Sequence, residues 1–209
     1  MGLFLEILTK VFFILSPFSS VSNFLMLTAA MDARQRRRCA LRTAVAVVAI
    51  TLIIFYFGTV IFHALGITVA AFQVGAGCLL FLRAVHMVQG KKHDLLPEPG
   101  EDFTLVPLAT PLIAGPGTIG TLMVFAAHMK TLNERLIGGT AALTAALAIS
   151  TLLFLAEPIG RVLRQKGLQA LMKLTGLVLS AISAQLVFAG VKALLSGVTI
   201  GMPGSVGSQ

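Results

Sequence analysis

The sequence predicts an all-α membrane protein: six transmembrane helices in two inverted three-helix repeats, with helices one and four discontinuous. Three observations carry that prediction. Of 209 residues, 56% are hydrophobic and only 11% charged, against about 25% charged in an ordinary soluble domain, and the mean hydropathy is +0.93. Apolar residues gather in six runs, 11–31, 43–62, 67–88, 104–127, 136–156 and 171–191, each close to the roughly 20 residues that cross a bilayer. Basic residues gather in alternate links between those runs. The net charge of +8 therefore reads as topology determinants beside anionic lipid, and nucleic acid is excluded as a partner.

Run one is interrupted by its own composition. Residues 16–23 read Ser16, Pro17, Phe18, Ser19, Ser20, Val21, Ser22, Asn23. Proline removes a backbone donor and pushes the residue before it out of the helical region. Glu6 stands where a leader peptide would be basic, so this run is expected to persist as a span. The next link holds Arg34, Arg36, Arg37, Arg38 and Arg42. Run two carries no charge, and twelve of its residues are Val, Ile, Leu or Phe, worth about −5 kcal/mol of insertion energy. Run three contains Arg83 toward its end, read as snorkelling to the cytoplasmic headgroups.

An acidic, proline-bearing link from Asp94 to Asp102 then divides the chain. This sets a first repeat at 1–91, a polar cytoplasmic linker at 92–103 and a second repeat at 104–195. Three spans on each side of the link force the halves into opposite orientations, so similarity between them makes an inverted repeat. Run four holds Pro107, Thr110, Pro111, Gly115, Pro116, Gly117 and Thr118, which makes a continuous helix improbable. Ser16 and Pro17 are paired in this reading with Thr110 and Pro111. At an offset of 100 residues run three lies over run six, matching Leu79 with Leu179, Ala84 with Ala184 and Gly90 with Gly190.

Run five carries a surface of small residues, Gly138, Gly139, Ala141, Ala142, Ala145, Ala146 and Ala148, of the kind that packs helices in lipid. Glu157 after it is expected to pair with Arg161 or Arg164. Residues 196–209 read as a disordered tail. Ten basic residues fall in the links after runs one, three and five: the five arginines above, Lys91, Lys92, Arg161, Arg164 and Lys166. Lys130, Arg135 and Lys192 face them from the other side. That asymmetry places the odd-numbered links in the cytoplasm and both termini in the periplasm.

Residues 106–119, Val-Pro-Leu-Ala-Thr-Pro-Leu-Ile-Ala-Gly-Pro-Gly-Thr-Ile, closely resemble the fourth-span signature of the MarC family of bacterial inner-membrane proteins, also called the small neutral amino acid transporter family. Val74 to Leu82 and Met172 to Gln185 resemble it too, and the similarity runs from Leu3 to about Leu195. The resemblance implies six spans in two inverted repeats and, for the archaeal branch, uptake of glycine, alanine and similar small amino acids. In span one the chain departs from the family, which usually carries Asn-Pro, a following Gly and a second Pro, where this sequence has Ser16, Pro17, Ser19 and Ser22.

Broken spans at matching places in both halves point to a transport site near the bilayer midplane. The expected substrate is a small neutral amino acid or similar zwitterion, moved by alternating access. Its site is expected from Ser16, Pro17, Ser19 and Ser20 of span one and Thr110, Pro111, Gly115, Pro116, Gly117 and Thr118 of span four. Half-helix ends suffice to bind a zwitterion, since spans one, two, four and five contain no central acid. Coupling to H⁺, to Na⁺ or to no ion all fit, as does self-association into a homo-oligomer. The alternative is a non-transporting scaffold using the small face of span five. An enzyme ranks last: no hydrolase, P-loop or zinc motif occurs, no cofactor or metal is expected, and His63, His86, His93 and His128 are scattered near span ends. Cys39 and Cys78 read as free thiols.

Overall fold

The computed structural model describes residues 2–90 and 115–200, without the side chains of 59, 61–65, 116, 164 and 197–200. The polar linker, the first part of span four with Thr110 and Pro111, and 201–209 lie outside the described residues. Among the described residues seven helices occur in order: α1 (Gly2–Ile14), α2 (Pro17–Leu27), α3 (Ala33–Leu65), α4 (Val69–Gln89), α5 (Pro116–His128), α6 (Leu132–Phe154) and α7 (Ala156–Ile200). Five stretches of the described residues are long and apolar enough to cross a membrane: Gly2–Leu27, Ala33–Gly58, Val69–Gln89, Leu132–Phe154 and Gln165–Ser196. A shorter apolar helix, Gly117–His128, accompanies them. No strand occurs among the described residues.

Helix starts follow local chemistry. Asp32 accepts from the Gln35 amide at 2.6 Å while its own N–H donates to the Gln35 side chain at 3.2 Å, a reciprocal cap that launches α3. Thr131 and Glu134 form the same device at α6. The basic link after span one is therefore helical, a difference from a plain connecting segment. Arginine, glutamine, alanine and leucine favour helix, and neither Gly nor Pro interrupts 33–57. The link between spans five and six is also helical, with Leu155 alone between α6 and α7. At the other end α7 runs on to Ile200, so the part of the proposed tail before residue 201 is helix.

α4 packs along α7, and α3 along α6; α1 lies on α6, α2 on α7 and α6, and α5 on α4 and α3. Exchanging span one with four, two with five and three with six turns most of these pairs into one another. Span three on six and span two on five map to themselves, span two on four maps to five on one, and span three on four maps to six on one. α4 and α7 run antiparallel: Gly77 lies against Ser183 and Val187, Gly176 against Ala84 and Val88, and Gly190 against Ala70 and Val74.

Among the described residues two buried clusters result. The larger joins Val11, Phe24, Val47, Phe55, Leu122, Ile149 and Leu153 across α1, α2, α3, α5 and α6. The smaller joins Ile14, Leu80, Ala84, Met87 and Leu179. Lipid tails are as apolar as these side chains, so dispersion and fit, rather than transfer from water, hold the helices together. Large apolar side chains point outward as lipid requires, with Val45 62% and Phe188 73% exposed.

Candidate functional site

The site is built on an interruption of span one. α1 ends at Ile14 and α2 begins at Pro17. Between them Ser16 has φ 52° and ψ 67°, a left-handed backbone on a residue with a side chain. Pro17 has no N–H for the Phe13 carbonyl, which accepts instead from the Ser16 N–H at 2.9 Å. The Ser16 hydroxyl donates to the Ile14 carbonyl at 3.3 Å. Ser20 Oγ reaches the carbonyls of Leu15 at 3.1 Å and Ser16 at 3.0 Å. Serines thus cover the carbonyls that the break releases, and Ser16, Ser19 and Ser20 are all buried.

α5 supplies the facing wall. It starts with Pro116 at its first turn after Gly115, whose ψ of 170° is extended. The first N–H groups of any helix lack an acceptor within it, and here those of Gly117 and Thr118 fall at the buried end. Thr118 Oγ1 donates to the Ile14 carbonyl at 3.3 Å. One hydrogen bond therefore ties the break of span one to the start of α5 across 104 residues of sequence.

The described residues add a second pairing for Ser16-Pro17 beside the one expected with Thr110-Pro111. Ser16-Pro17 opens α2 as Gly115-Pro116 opens α5, each a residue then proline at the first helical turn. Their offset, 115 minus 16, is 99, close to the 100 that relates spans three and six. Thr110 and Pro111 lie outside the described residues.

At Gly117 a Cβ would sit 2.9 Å from the Leu80 N and 3.2 Å from the Leu79 carbonyl carbon. The glycine lets the α5 backbone lie on the α4 backbone, a close helix contact of the small-residue type.

That close approach exposes a site residue that the sequence reading sent elsewhere. Arg83 does not snorkel outward: its Nη1 donates to Thr118 Oγ1 at 2.9 Å, and the side chain is part-buried. The physical reason is directional. Helical Cα–Cβ bonds lean toward the helix N-terminus, so from Arg83 the side chain heads back into the bundle, away from the basic link beyond Gln89. The signal in the sequence is the direction of the helix, which outweighs distance to the headgroups. The chain of contacts runs Arg83 to Thr118 to the Ile14 carbonyl, which also accepts from Ser16.

A second polar cluster lies at the α2, α3 and α7 ends. Arg36 donates to the carbonyls of Thr28 at 3.1 Å and Met31 at 3.5 Å, and pairs with Glu157 at 3.0 Å. Glu157 also pairs with Arg161, as expected, and its bond to Arg36 joins the two halves. Among the described residues no group of His, Cys, Asp or Glu could hold a metal ion. Both cysteines are free.

An interrupted apolar helix, a half-helix opening against it and lipid-facing flanks define a multi-pass integral membrane protein. Over residues 1–195 the chain matches the MarC family of integral membrane proteins, and it belongs to that family. A UPF0056 membrane protein of Aquifex aeolicus (strain VF5) is 33% identical over 201 residues, covering 92% of this chain and 94% of the relative. One from Methanocaldococcus jannaschii is 32% identical, covering 92% and 97%. The UPF0056 membrane protein YhcE of Escherichia coli (strain K12) is 27% identical, covering 89% and 90%. No solved structure matches this chain.

Proposed function

We propose that the chain is a transporter of small neutral amino acids or similar zwitterions, working by alternating access in a bacterial inner membrane with both termini periplasmic. The observation that carries this reading is the bond between the interruption of span one and the start of α5, Thr118 Oγ1 to the Ile14 carbonyl at 3.3 Å. Interrupted backbone inside a bilayer costs several kcal/mol per unsatisfied group unless protein or ligand covers it. Two such places in contact concentrate that cost at one point between the halves. There, helix N-termini offer N–H groups to a carboxylate. The exchange of span contacts described above supports two inverted repeats, the arrangement that lets one half rock against the other around a fixed site.

The scaffold alternative loses its main support. Gly138, Gly139, Ala141, Ala142, Ala145 and Ala146 are buried within the chain itself, with Gly138 against Met129 and Phe55 and Gly139 against Tyr56. That small face is spent on the chain's own helices.

Uptake of labelled glycine, alanine, serine and larger amino acids into proteoliposomes, with and without Na⁺ and pH gradients, tests the proposal. Saturable uptake of the small members is the expected result. Uptake no faster than in protein-free vesicles for every compound and gradient would overturn it.

A further inference from the structure

We infer that Arg38 and Arg42 hold the phosphate of one anionic phospholipid, whose acyl chain lies along the outward face of the same helix. α3 is helical from Ala33, and Arg38 and Arg42 are both exposed. At about 100° and 1.5 Å per residue they stand about 40° apart around the axis and about 6 Å apart along it. The rotation of this end of α3 is fixed from behind. Arg36 lies about 160° around the helix from Arg38, where the Thr28 and Met31 carbonyls and Glu157 hold it. Thr43, Ala44 and Val47 are buried on that same inner side. Arg38 and Arg42 therefore face away from the bundle.

Height separates this pair from the other arginines of α3. Residues 43–62 carry no charge, and a helix of that length spans the roughly 30 Å of hydrocarbon. Arg42 sits at its edge and Arg38 about 6 Å beyond, both within a headgroup layer about 5–7 Å deep on each side. Arg34 is about 12 Å beyond the edge, past the phosphates, and Arg37 is turned about 100° from Arg38. Toward the bilayer centre Val45, Ile53 and Tyr56 are exposed, all within about 60° of Arg38 around the helix. A chain hanging from a phosphate at the arginine pair has that apolar track to lie on.

Charge selects the headgroup. Neither Arg38 nor Arg42 pairs with an acid among the described residues. Glu157 is taken by Arg36 and Arg161, and Asp32 accepts from the Gln35 N–H that it caps. Two guanidiniums one turn apart repel, and a phosphate between them offers acceptors to both planar forks. A zwitterionic headgroup brings its own cation to the same place, so a net anionic lipid fits better.

The test is thermal unfolding of the delipidated full-length protein in nonionic detergent at about 0.15 M salt. Wild type, R38Q, R42Q, R34Q and the quadruple variant D94N/E98Q/E101Q/D102N are titrated with phosphatidylglycerol, with phosphatidylcholine of the same acyl chains, and with glycerol phosphate. An arginine beside an anionic surface contributes about fivefold in affinity, so wild type should prefer phosphatidylglycerol roughly 25-fold, and R38Q and R42Q should each lose about fivefold of that preference. R34Q should lose less than about twofold, since at this salt a charge is screened over about 8 Å. Glycerol phosphate should give no shift, because exposed guanidiniums without the acyl track hold an anion weakly. Equal affinity for the two lipids, full preference retained in R38Q and R42Q, or R34Q losing as much as R42Q would overturn the site. A glycerol phosphate shift matching that of phosphatidylglycerol would overturn the lipid in favour of a free phosphate. A preference present only in the quadruple variant would assign the arginines to the acidic link instead, and overturn the lipid as well. Should one arginine variant fail to fold, the lipid comparison on wild type and the remaining variants decide.

Discussion

Ser16 holds a φ of 52°, a conformation that costs an L-residue about 1–2 kcal/mol and that asparagine tolerates better than serine. The family resemblance places Asn before the proline at this position, and the left-handed backbone supplies a reason for it. Ser16→Asn is expected to raise the unfolding temperature in detergent. Ser16→Val should lower stability by about 2 kcal/mol, because a β-branched side chain fits this region worst and the bond to the Ile14 carbonyl is lost. An Asn variant less stable than the Val variant would contradict the strain argument. The break itself was legible from Pro17 and its serines, because proline's lost donor is a local property. The left-handed turn was not, since it depends on how α1 and α2 are aimed by their neighbours. Arg83 was misread for a similar reason: distance along the helix was visible, but the nearness of Thr118 depends on α4 meeting α5.

Helix contacts make Gly117 and Gly75 a matched pair. A Cβ at Gly117 meets the α4 backbone at 2.9 Å, whereas at Gly75 nothing lies within 4 Å. Gly117→Ala should cost several kcal/mol, since backbone cannot yield as a side chain can. Gly75→Ala should stay within about 1 kcal/mol of wild type or gain slightly from helix propensity. Thermal unfolding of the two variants side by side checks this, and equal behaviour would remove Gly117 from the contact. At the Arg36 cluster, Glu157→Gln should cost under about 1 kcal/mol, as expected of partly exposed pairs. Arg36→Ala should cost more, because the Thr28 and Met31 carbonyls at the end of α2 lose a donor as well. Salt titration of the unfolding temperature separates them, the Glu157 effect fading with salt. The small face of span five is plain in the sequence, but which helices cover it depends on tertiary packing, which lays α1 and α3 against α6.

At the level of the whole molecule, membrane character and five of the spans were legible because hydropathy and length are summed over some twenty residues and forgive local error. Pairing of the half-helix starts was less so. Hydroxyl-proline at Thr110 looks like Ser16-Pro17 in sequence, and Gly115-Pro116 opens α5 in the way that Ser16-Pro17 opens α2. The charge asymmetry between links leads to the expectation that reporter fusions at either terminus read periplasmic, and that fusions after Gln89 or within 161–166 read cytoplasmic. A cytoplasmic C-terminus with a periplasmic N-terminus would give an odd number of spans and dismantle the proposed inverted arrangement.

α3 has 33 residues, about 50 Å at 1.5 Å per residue, while the hydrocarbon layer is about 30 Å thick. Its first turns therefore stand clear of the hydrocarbon as a rigid rod carrying Arg34, Arg37, Arg38 and Arg42, all exposed. On a flexible connection such charges would find the phosphate layer at any height. On a rod their heights are fixed relative to the apolar turns that follow, so the guanidinium ladder acts as a depth gauge. With no tryptophan and one tyrosine in the chain, there is no aromatic girdle to share the task. The vertical position of the whole bundle, and with it the depth at which span one is interrupted, is set by where α3 leaves the lipid.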